Sequence, residues 1–309
     1  MDEHLETLTD VPTINLSLLH QDPQSRFVVI KKIREACHTY GLFNVINHGI
    51  HDSVIEDALN VNARFFEMPL AEKEELFSDD VRKPVRFQHV NRGDYSKDFL
   101  KLYAHPLEHF ISYWPSFPPD YREKMGIYST EVRKLCIELF GAIMESLSLD
   151  QTHLKQEFKQ GFQILGVNCY NRCTESSTKN GTPPHTDHSV ITLLLQSAPG
   201  LDFMDPEGSW KSIPKLKGSL QVFVGDHLEV ISNGFYKSVL HRAINSSNGA
   251  ARVSIASLHS LGMDEIVEPA AELERDENTR RYRGSSLRDY LEHLASADAG
   301  PFIERLKIE

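Results

Sequence analysis

The second half of the chain is a succession of short β-type segments, and this pattern constrains the fold more than any other feature of the sequence. From Phe162 onward, runs rich in β-branched and aromatic residues are separated by Gly, Asn and Pro turns. The runs are FQILGVNCY, SVITLLLQ, LDFM, SWKSIP, SLQVFVGDHLEVIS, YKSVLHRAI and ARVSIASLHS. Because no helical pattern interrupts them, they predict a β-sandwich or a jelly-roll barrel.

The rest of the chain has mainly helical spacing, which places helices on both sides of this β region. Helical patterns cover 25–41, 54–66, 69–77, 120–149 and 285–296; short strands are predicted at 11–19 and 42–49, and 78–118 has mixed loop and strand character. We therefore predict a mainly β core with flanking α-helices. The expected divisions are an N-terminal helical and mixed region over 1–155, the β core over 156–265, and a C-terminal segment with one helix over 266–309.

Charge and composition exclude several classes of protein. The 309 residues carry a formal net charge of −11, which argues against a nucleic-acid or anionic-membrane partner. The N-terminal segment MDEHLETLTD lacks the basic and apolar regions of a signal peptide, and no run is long enough for a membrane span. Four cysteines are too few for a disulfide framework, so Cys169 and Cys173 are interpreted as free thiols. We expect a cytoplasmic monomer that binds a small molecule.

The stretch PPHTDHSVITLLLQ, residues 183–196, places three titratable side chains just before an apolar strand. On a strand, His185 and Asp187 point to one face because they are two residues apart. A third ligand should come from a distant strand, and His241 is the leading candidate. Two imidazoles and one carboxylate, with open coordination positions, form the facial triad of non-haem iron oxygenases. We interpret His188 as a neighbour of the ligands or a surface residue, and His227 as a core or lining residue on a strand.

An arginine and a serine on the last β-type run indicate an anion site. In ARVSIAS, Arg252 and Ser254 share one face of a strand. A buried guanidinium requires an anion, and its planar fork beside a hydroxyl suits a carboxylate. The alternative is a structural ion pair between Arg252 and an acidic residue of the protein.

Together these motifs resemble the 2-oxoglutarate/Fe(II)-dependent dioxygenases. The order H-x-D (185–187), a distal His241 and R-x-S (252–254) is similar to the plant branch related to isopenicillin N synthase. PTINLS, GLFNVINHG, WPSFPPDYRE, YSTEVRKL, GSWKSIP and SNGFYKSVLHR extend the resemblance over nearly the whole chain. It implies a distorted double-stranded β-helix (jelly-roll) with an N-terminal α/β region and a C-terminal helix.

The resemblance also implies the cofactors and the residues that bind them. Fe(II) would be held by His185, Asp187 and His241, with 2-oxoglutarate and O2 as co-substrates and ascorbate as reductant. Arg252, Ser254, Tyr170 and Asn168 would bind 2-oxoglutarate. The sequence departs from the family pattern after Tyr170, where Asn171 and Arg172 replace two prolines.

The expected reaction is hydroxylation or desaturation of a small metabolite or hormone, with release of succinate and CO2. The chain resembles flavone synthase I and salicylate-hydroxylating enzymes, and also hyoscyamine 6-hydroxylase and mugineic-acid dioxygenases. We therefore favour a flavonoid or other phenolic substrate of plant specialised metabolism. By family position, the residues that face it would be Phe87, Phe99, Lys101, Gly166, Leu258 and Ser260.

Three alternatives remain at this stage. An ascorbate-dependent oxidase of the aminocyclopropane-carboxylate oxidase type keeps the iron triad and R-x-S but does not use 2-oxoglutarate. A non-catalytic small-molecule-binding barrel would need neither the triad nor the anion site. A zinc hydrolase could use the three ligands but has no use for Arg252 and Ser254.

The segment SSLRDYLEHLAS predicts a helix with one apolar stripe. Ser285 or Ser286 is the expected N-cap. The stripe comprises Leu287, Tyr290, Leu291 and Leu294. A helix this short is marginal alone, so the stripe must pack on something. It either covers the mouth of the active site as a lid or braces the outer wall of the barrel.

Overall fold

The structure is a computed structural model that describes residues 11–92, 95–149, 152–170, 180–244, 251–274, 280–296 and 300–308. The predictions made for the N-terminal segment 1–10 and for Asn171, Arg172 and Cys173 lie outside the described residues.

The described residues contain one mixed sheet flanked by helices. The strands are β1 Thr13–Asn15, β2 Leu42–Ile46, β3 Val85–Arg92, β4 Tyr95–His105, β5 Gln163–Tyr170, β6 Asn180–His185, β7 Ile191–Gln196, β8 Leu201–Met204, β9 Trp210–Ser212, β10 Leu220–Val224, β11 His241–Ile244 and β12 Arg252–His259. The α-helices are α1 Pro23–Thr39, α2 Asp52–Glu67, α3 Leu107–Phe110, α4 Tyr121–Ser146, α5 Thr152–Gln160, α6 Asp226–Ile231, α7 Leu287–Ala295 and α8 Phe302–Leu306. Shorter 3-10 turns cover Leu16–His20, Leu70–Leu76, Ile111–Tyr113 and Ala271–Leu273.

The strand order is β1-β2-β10-β7-β12-β5-β4-β6-β11-β8-β9, and β3 pairs with residues 95–102 of β4. β10, β7, β12, β5 and β4 form a long antiparallel wall, while β6, β11 and β8 form a second, shorter one. A single residue pair, Tyr95 with Asn180, joins the two walls between β4 and β6. The sheet therefore rolls around a central cavity that side chains from both walls line. The predicted mainly β core with flanking helices is confirmed.

Helices α2 and α4 pack against the long wall, and α1 packs against α4, β1 and β2. α4 contacts α1, α2, β7 and β12, and its buried residues, among them Tyr128, Val132 and Phe140, belong to the largest hydrophobic cluster. α1 begins where the Asp22 side chain accepts hydrogen bonds from two backbone amides. It ends before Gly41, the last residue of the predicted helical pattern, whose φ of +68° and close approach to the Lys237 carbonyl exclude a side chain.

Two predictions within the β half are wrong. Residues 226–231 were predicted as part of a strand but form helix α6. All six residues are buried, so neither helical nor strand periodicity marks them. Gly225 permits the change of direction because it packs against the Ser189 carbonyl with no room for a Cβ atom.

The second correction concerns the strand that precedes the H-x-D motif of residues 185–187. β6 contains Pro183 and Pro184 and ends at His185, so Asp187 lies in the following loop rather than on a strand. β6 tolerates Pro183 and Pro184 because its pairing with β11 is irregular and neither proline is paired with a residue of β11. The missing proline N–H groups therefore cost no hydrogen bond of this ladder.

Smaller corrections apply to three other strands. Of the predicted strand 11–19 only β1 is extended, and Leu16–His20 forms a 3-10 turn whose N-cap is Asn15. The strand predicted at 42–49 ends at Ile46, because Asn47 has a positive φ of 52°. In YKSVLHRAI only the last four residues form β11.

β1 to β4, which belong to the predicted region 1–155, are hydrogen-bonded into the same sheet as the strands of 156–265. The boundaries of the predicted divisions stay a prediction.

Candidate active site

The register between β6 and β11 brings two histidines together. His241, the first residue of β11, pairs directly with His185, the last residue of β6. Their ring centroids are 4.3 Å apart. Asp187 reaches the same point from the loop after β6, where its backbone carbonyl accepts a hydrogen bond of 2.7 Å from the amide of Asp226 at the start of α6. Helix α6, whose residues were predicted as a strand, thus positions the loop that carries the Asp187 carboxylate.

Each histidine is oriented by a backbone carbonyl. His185 Nδ1 lies 2.8 Å from the Pro183 carbonyl, and His241 Nδ1 lies 3.1 Å from the Val239 carbonyl. When Nδ1–H donates to a carbonyl, the lone pair of Nε2 is free for a metal. Both Nε2 atoms face Asp187 Oδ1, at 3.8 Å and 3.9 Å.

The donor atoms of this group fit a metal ion. Ligand atoms of His185, Asp187 and His241 all lie within 4.8 Å of one another, the only such group of three among the described residues. The separations between Asp187 and the imidazoles are too long for hydrogen bonds and leave space for an ion among them. Two nitrogens and one carboxylate oxygen are the donor set of non-haem iron centres.

The electrostatics favour a neutral His185 imidazole beside an ionised Asp187 carboxylate. Burial, then the neighbouring His241, lowers the pKa of His185 to about 4. Burial alone would raise the pKa of Asp187, but His241 and His185 together hold it below its ordinary value. These are the protonation states that metal ligation requires.

Arg252 is a buried residue of the cavity wall. Its side chain is 1% exposed, its Nε donates to the Ala198 carbonyl at 2.9 Å, and its Nη2 donates to Gln196 Oε1 at 2.8 Å. Its Nη1 is buried without a partner. No acidic side chain pairs with the guanidinium among the described residues, which argues against the structural ion pair.

The residues beside Arg252 complete a polar recess. The register pairs Arg252 with Tyr170 and Ser254 with Asn168 across β12 and β5. The guanidinium lies 4.8 Å from the centroid of the Tyr170 ring, and the Tyr170 hydroxyl is 3.0 Å from Thr182 Oγ1. All four predicted residues, Arg252, Ser254, Tyr170 and Asn168, line the cavity.

The cavity has a volume of about 280 Å³. It is lined both by the metal-binding group, which is His185, Asp187 and His241, and by the polar recess around Arg252. Of the residues predicted to face the substrate, Phe99, Lys101, Gly166 and Leu258 line it. Phe87 and Ser260 do not.

Phe87 is fully buried in the core, where it packs against Phe65 and Phe77. Side chains alternate along β3, so its neighbour Arg86 faces the cavity instead. Ser260 lies beyond the end of β12 and pairs through its backbone with Phe162.

Sequence reasoning missed two cations in the cavity, Arg86 and Lys97. Lys97 Nζ donates to Asn168 Oδ1 at 2.7 Å and to Thr182 Oγ1 at 3.0 Å. Strand alternation extended from Phe99 and Lys101 would have identified Lys97. No sequence pattern indicates that Arg86 faces the cavity, because its position depends on the pairing of β3 with β4.

Helix α7 forms part of the cavity wall. Ser286, one of the two residues predicted as the N-cap, caps the helix and forms a capping box with Asp289. Tyr290, Leu291 and Leu294 line the cavity. The Tyr290 ring stacks on His188 with centroids 3.8 Å apart. His188 is buried in the loop that carries Asp187, so it is a neighbour of the predicted ligands and not a surface residue. His227 is buried in α6, with Nε2 3.2 Å from Ser285 Oγ.

Comparison with known proteins identifies the family. The family model described as the 2OG-Fe(II) oxygenase superfamily matches residues 161–260, and the one described as non-haem dioxygenase in morphine synthesis N-terminal matches residues 11–121. The chain is 43% identical over 288 residues to 2-oxoglutarate-dependent dioxygenase 21, chloroplastic, of Oryza sativa subsp. japonica, covering 92% of this chain and 86% of that protein. It is 42% identical to flavanone 3-dioxygenase 3 of the same plant, covering 93% and 89%.

Solved structures share the fold. JOX2 in complex with 2OG, Fe and JA superposes with a TM-score of 0.85 at 27% identity, covering 100% of this chain and 96% of that chain. The dioxygenase for auxin oxidation of rice gives 0.82 at 25% identity, covering 96% and 100%. The chain belongs to the 2-oxoglutarate/Fe(II)-dependent oxygenases, and the predicted double-stranded β-helix is confirmed. The predicted enzyme class and its use of Fe(II) and 2-oxoglutarate are confirmed as well.

Among the described helices, none has both the length and the apolar character that crossing a membrane requires.

Proposed function

We propose that His185, Asp187 and His241 hold the Fe(II) and that Arg252 and Ser254 bind the distal carboxylate of 2-oxoglutarate. The observation that carries this proposal is the pair of facing imidazole nitrogens beside Asp187, in one cavity with a guanidinium whose Nη1 has no partner. Tyr170 and Asn168 complete the 2-oxoglutarate recess. When bound, the iron supplies the oxidising chemistry that couples decarboxylation of 2-oxoglutarate to oxidation of the substrate.

The protein's own residues orient the reactants and exclude water. The backbone carbonyls of Pro183 and Val239 hold the imidazoles, and the guanidinium of Arg252 fixes one end of the keto acid. Leu258, Phe99 and the α7 residues line the same cavity as the metal-binding group. Apolar side chains around the reacting atoms limit the access of water and so keep the oxidation on the bound substrate.

We propose a small metabolite or hormone with an aromatic ring, of the flavonoid or other phenolic class, as substrate. The cavity is lined by aromatic and aliphatic side chains, as in ordinary ligand sites. Its volume of about 280 Å³ must also accommodate 2-oxoglutarate, which favours a compact substrate. A relative is named for flavanone oxidation, and structural neighbours are named for auxin oxidation or hold JA.

We further propose a monomer with no nucleic-acid partner, located in the cytoplasm. The net charge of −11 supports the absence of a nucleic-acid partner. The location stays a prediction, because the relative named dioxygenase 21 is described as chloroplastic.

The proposed function predicts succinate release that requires both iron and 2-oxoglutarate. Purified protein is incubated aerobically with Fe(II), ascorbate, 2-oxoglutarate and a panel of phenolics, and succinate is quantified. We expect succinate to increase with one member of the panel in equimolar amount with its oxidised product. Oxidised product without succinate would indicate the ascorbate-dependent oxidase instead, and the absence of both with every member of the panel would contradict a phenolic substrate.

A second prediction concerns α7 as a lid. Tyr290→Ala removes the ring that stacks on His188 and should weaken substrate binding or raise the ratio of succinate to oxidised product above one. Glu292→Ala, on the exposed face of the same helix, is the matched control. An unchanged ratio and unchanged substrate affinity in Tyr290→Ala would show that α7 only braces the wall.

A further inference from the structure

The cavity contains two cations that the iron and 2-oxoglutarate sites leave unused. Arg86 on β3 and Lys101 on β4 pair directly across the two strands, and both side chains line the cavity. Arg86 is 8% exposed and Lys101 is 6% exposed. Two like charges directly opposite each other on one sheet face destabilise the pairing, and burial increases that cost.

No carboxylate among the described residues forms an ion pair with either member of this pair. Arg86 Nε is buried without a hydrogen-bond partner among the described residues. Asp79 and Asp80, the acidic residues closest to Arg86 in sequence, are exposed, accept hydrogen bonds from Gln88 and from Arg82, and act on Arg86 only at longer range. Asp98, close to Lys101 in sequence, is bonded to His89 instead. Asp187, which belongs to the metal-binding group, is the only carboxylate among the described residues that line the cavity.

Lys101 likewise makes no ion pair with a described residue. Its Nζ donates to the Val81 carbonyl and lies 4.4 Å from the centroid of the Tyr103 ring. Burial, and then the charge of Arg86, lowers the pKa of Lys101 to about 7. A bound anion between the two side chains would restore its charged form.

This cation pair is separate from the 2-oxoglutarate recess. Lys101 pairs with Gly166 on β5, whereas Arg252 pairs with Tyr170, four residues further along the same strand. At 3.3–3.4 Å per residue the two positions are roughly 13 Å apart along the strand. Gly166 and Ala256 lie side by side next to Lys101, and the small size of Gly166 lets the Phe99 ring pack over the strand beside the lysine.

We infer that Arg86 and Lys101 form a clamp for a carboxylate of the substrate, so that the substrate is an aromatic or otherwise apolar carboxylic acid. The inference rests on the proposed function and narrows its phenolic and hormone classes to acids. The acid group would bind at the clamp, and the apolar body would lie along Phe99 and Leu258 toward the metal-binding group. A guanidinium beside an ammonium suits a carboxylate through charge-assisted hydrogen bonds.

The test compares acids with their methyl esters. Protein with Fe(II) and 2-oxoglutarate is titrated anaerobically with benzoic, cinnamic and indole-3-acetic acid and with each methyl ester, and binding is followed by the change in visible absorption. We expect at least one acid to bind roughly tenfold to a hundredfold more tightly than its ester. Arg86→Gln and Lys101→Gln should each remove that preference, while Arg82→Gln, an exposed arginine outside the cavity, should keep it.

Thermal unfolding without ligand separates a clamp from a structural role. If the two cations repel each other, Arg86→Met should raise the melting temperature; a structural role would lower it. Equal affinity for every acid and its ester, no binding of any acid, or an acid preference that survives both variants would overturn the clamp. Succinate release by the wild-type protein is measured in parallel, because it tests the proposed function independently of the substrate's acid group.

Discussion

Replacing His185, Asp187 or His241 by alanine should each abolish turnover while the protein stays folded. Each variant removes one of the donors that converge on one point of the cavity. We expect activity to fall by more than about 100-fold, beyond the 10–100-fold loss that follows removal of an outer partner of a metal ligand. The measurement is succinate release together with iron content and a thermal unfolding curve.

His109→Ala is the matched control, because this histidine is exposed and does not line the cavity. His188→Ala distinguishes a ligand from a neighbour. It should retain bound iron, since His188 stacks on Tyr290 and does not belong to the metal-binding group. Near-normal activity in His241→Ala together with loss of iron in His188→Ala would show that the ligand assignment is wrong.

Arg252→Lys should raise the Michaelis constant for 2-oxoglutarate by about ten- to a hundredfold. Lysine keeps the charge but loses the planar fork that binds a carboxylate through two hydrogen bonds, a difference of roughly 1.5–3 kcal/mol. It also loses the contacts of the guanidinium with the Ala198 carbonyl and with Gln196, which fix its orientation.

The matched control for this variant is Arg242→Lys. Arg242 lies on β11, pairs with Asp202 and stacks over Trp210, and it does not line the cavity. The two variants should have similar melting temperatures, with a changed Michaelis constant only in Arg252→Lys. An unchanged constant in Arg252→Lys would mean that Arg252 is structural and that 2-oxoglutarate is anchored elsewhere.

The residues of the metal-binding group and of the 2-oxoglutarate recess could be predicted from the sequence because their chemistry is specific. A histidine and an aspartate two residues apart, a distant histidine and an R-x-S on a strand are each unusual in a β region. The structure places these side chains together, but Asp187 lies in a loop that is hydrogen-bonded to α6 and not on a strand with His185 as predicted. The grouping of these side chains in one cavity could therefore be predicted without the correct secondary structure.

The substrate end of the cavity was harder to predict, because it depends on strand register. A shift of one residue exchanges the two faces of a strand, and this is the difference between Phe87 and Arg86 on β3. A buried phenylalanine is equally compatible with a core and with a binding site, so its residue type did not decide between them. The pairing of Arg86 with Lys101 exists only in the folded sheet. Helix α6 was missed for a related reason, since its residues are buried on every side.

The most direct test of the central claim is an anaerobic titration of the purified protein with Fe(II) and 2-oxoglutarate, followed by visible absorption. We predict one equivalent of each ligand per chain and an absorption band that requires both. The band should be absent in His241→Ala, and in Arg252→Lys it should appear only at higher 2-oxoglutarate concentrations. A protein that binds 2-oxoglutarate equally well without Fe(II), or whose band is unchanged in His241→Ala, would contradict the proposed site.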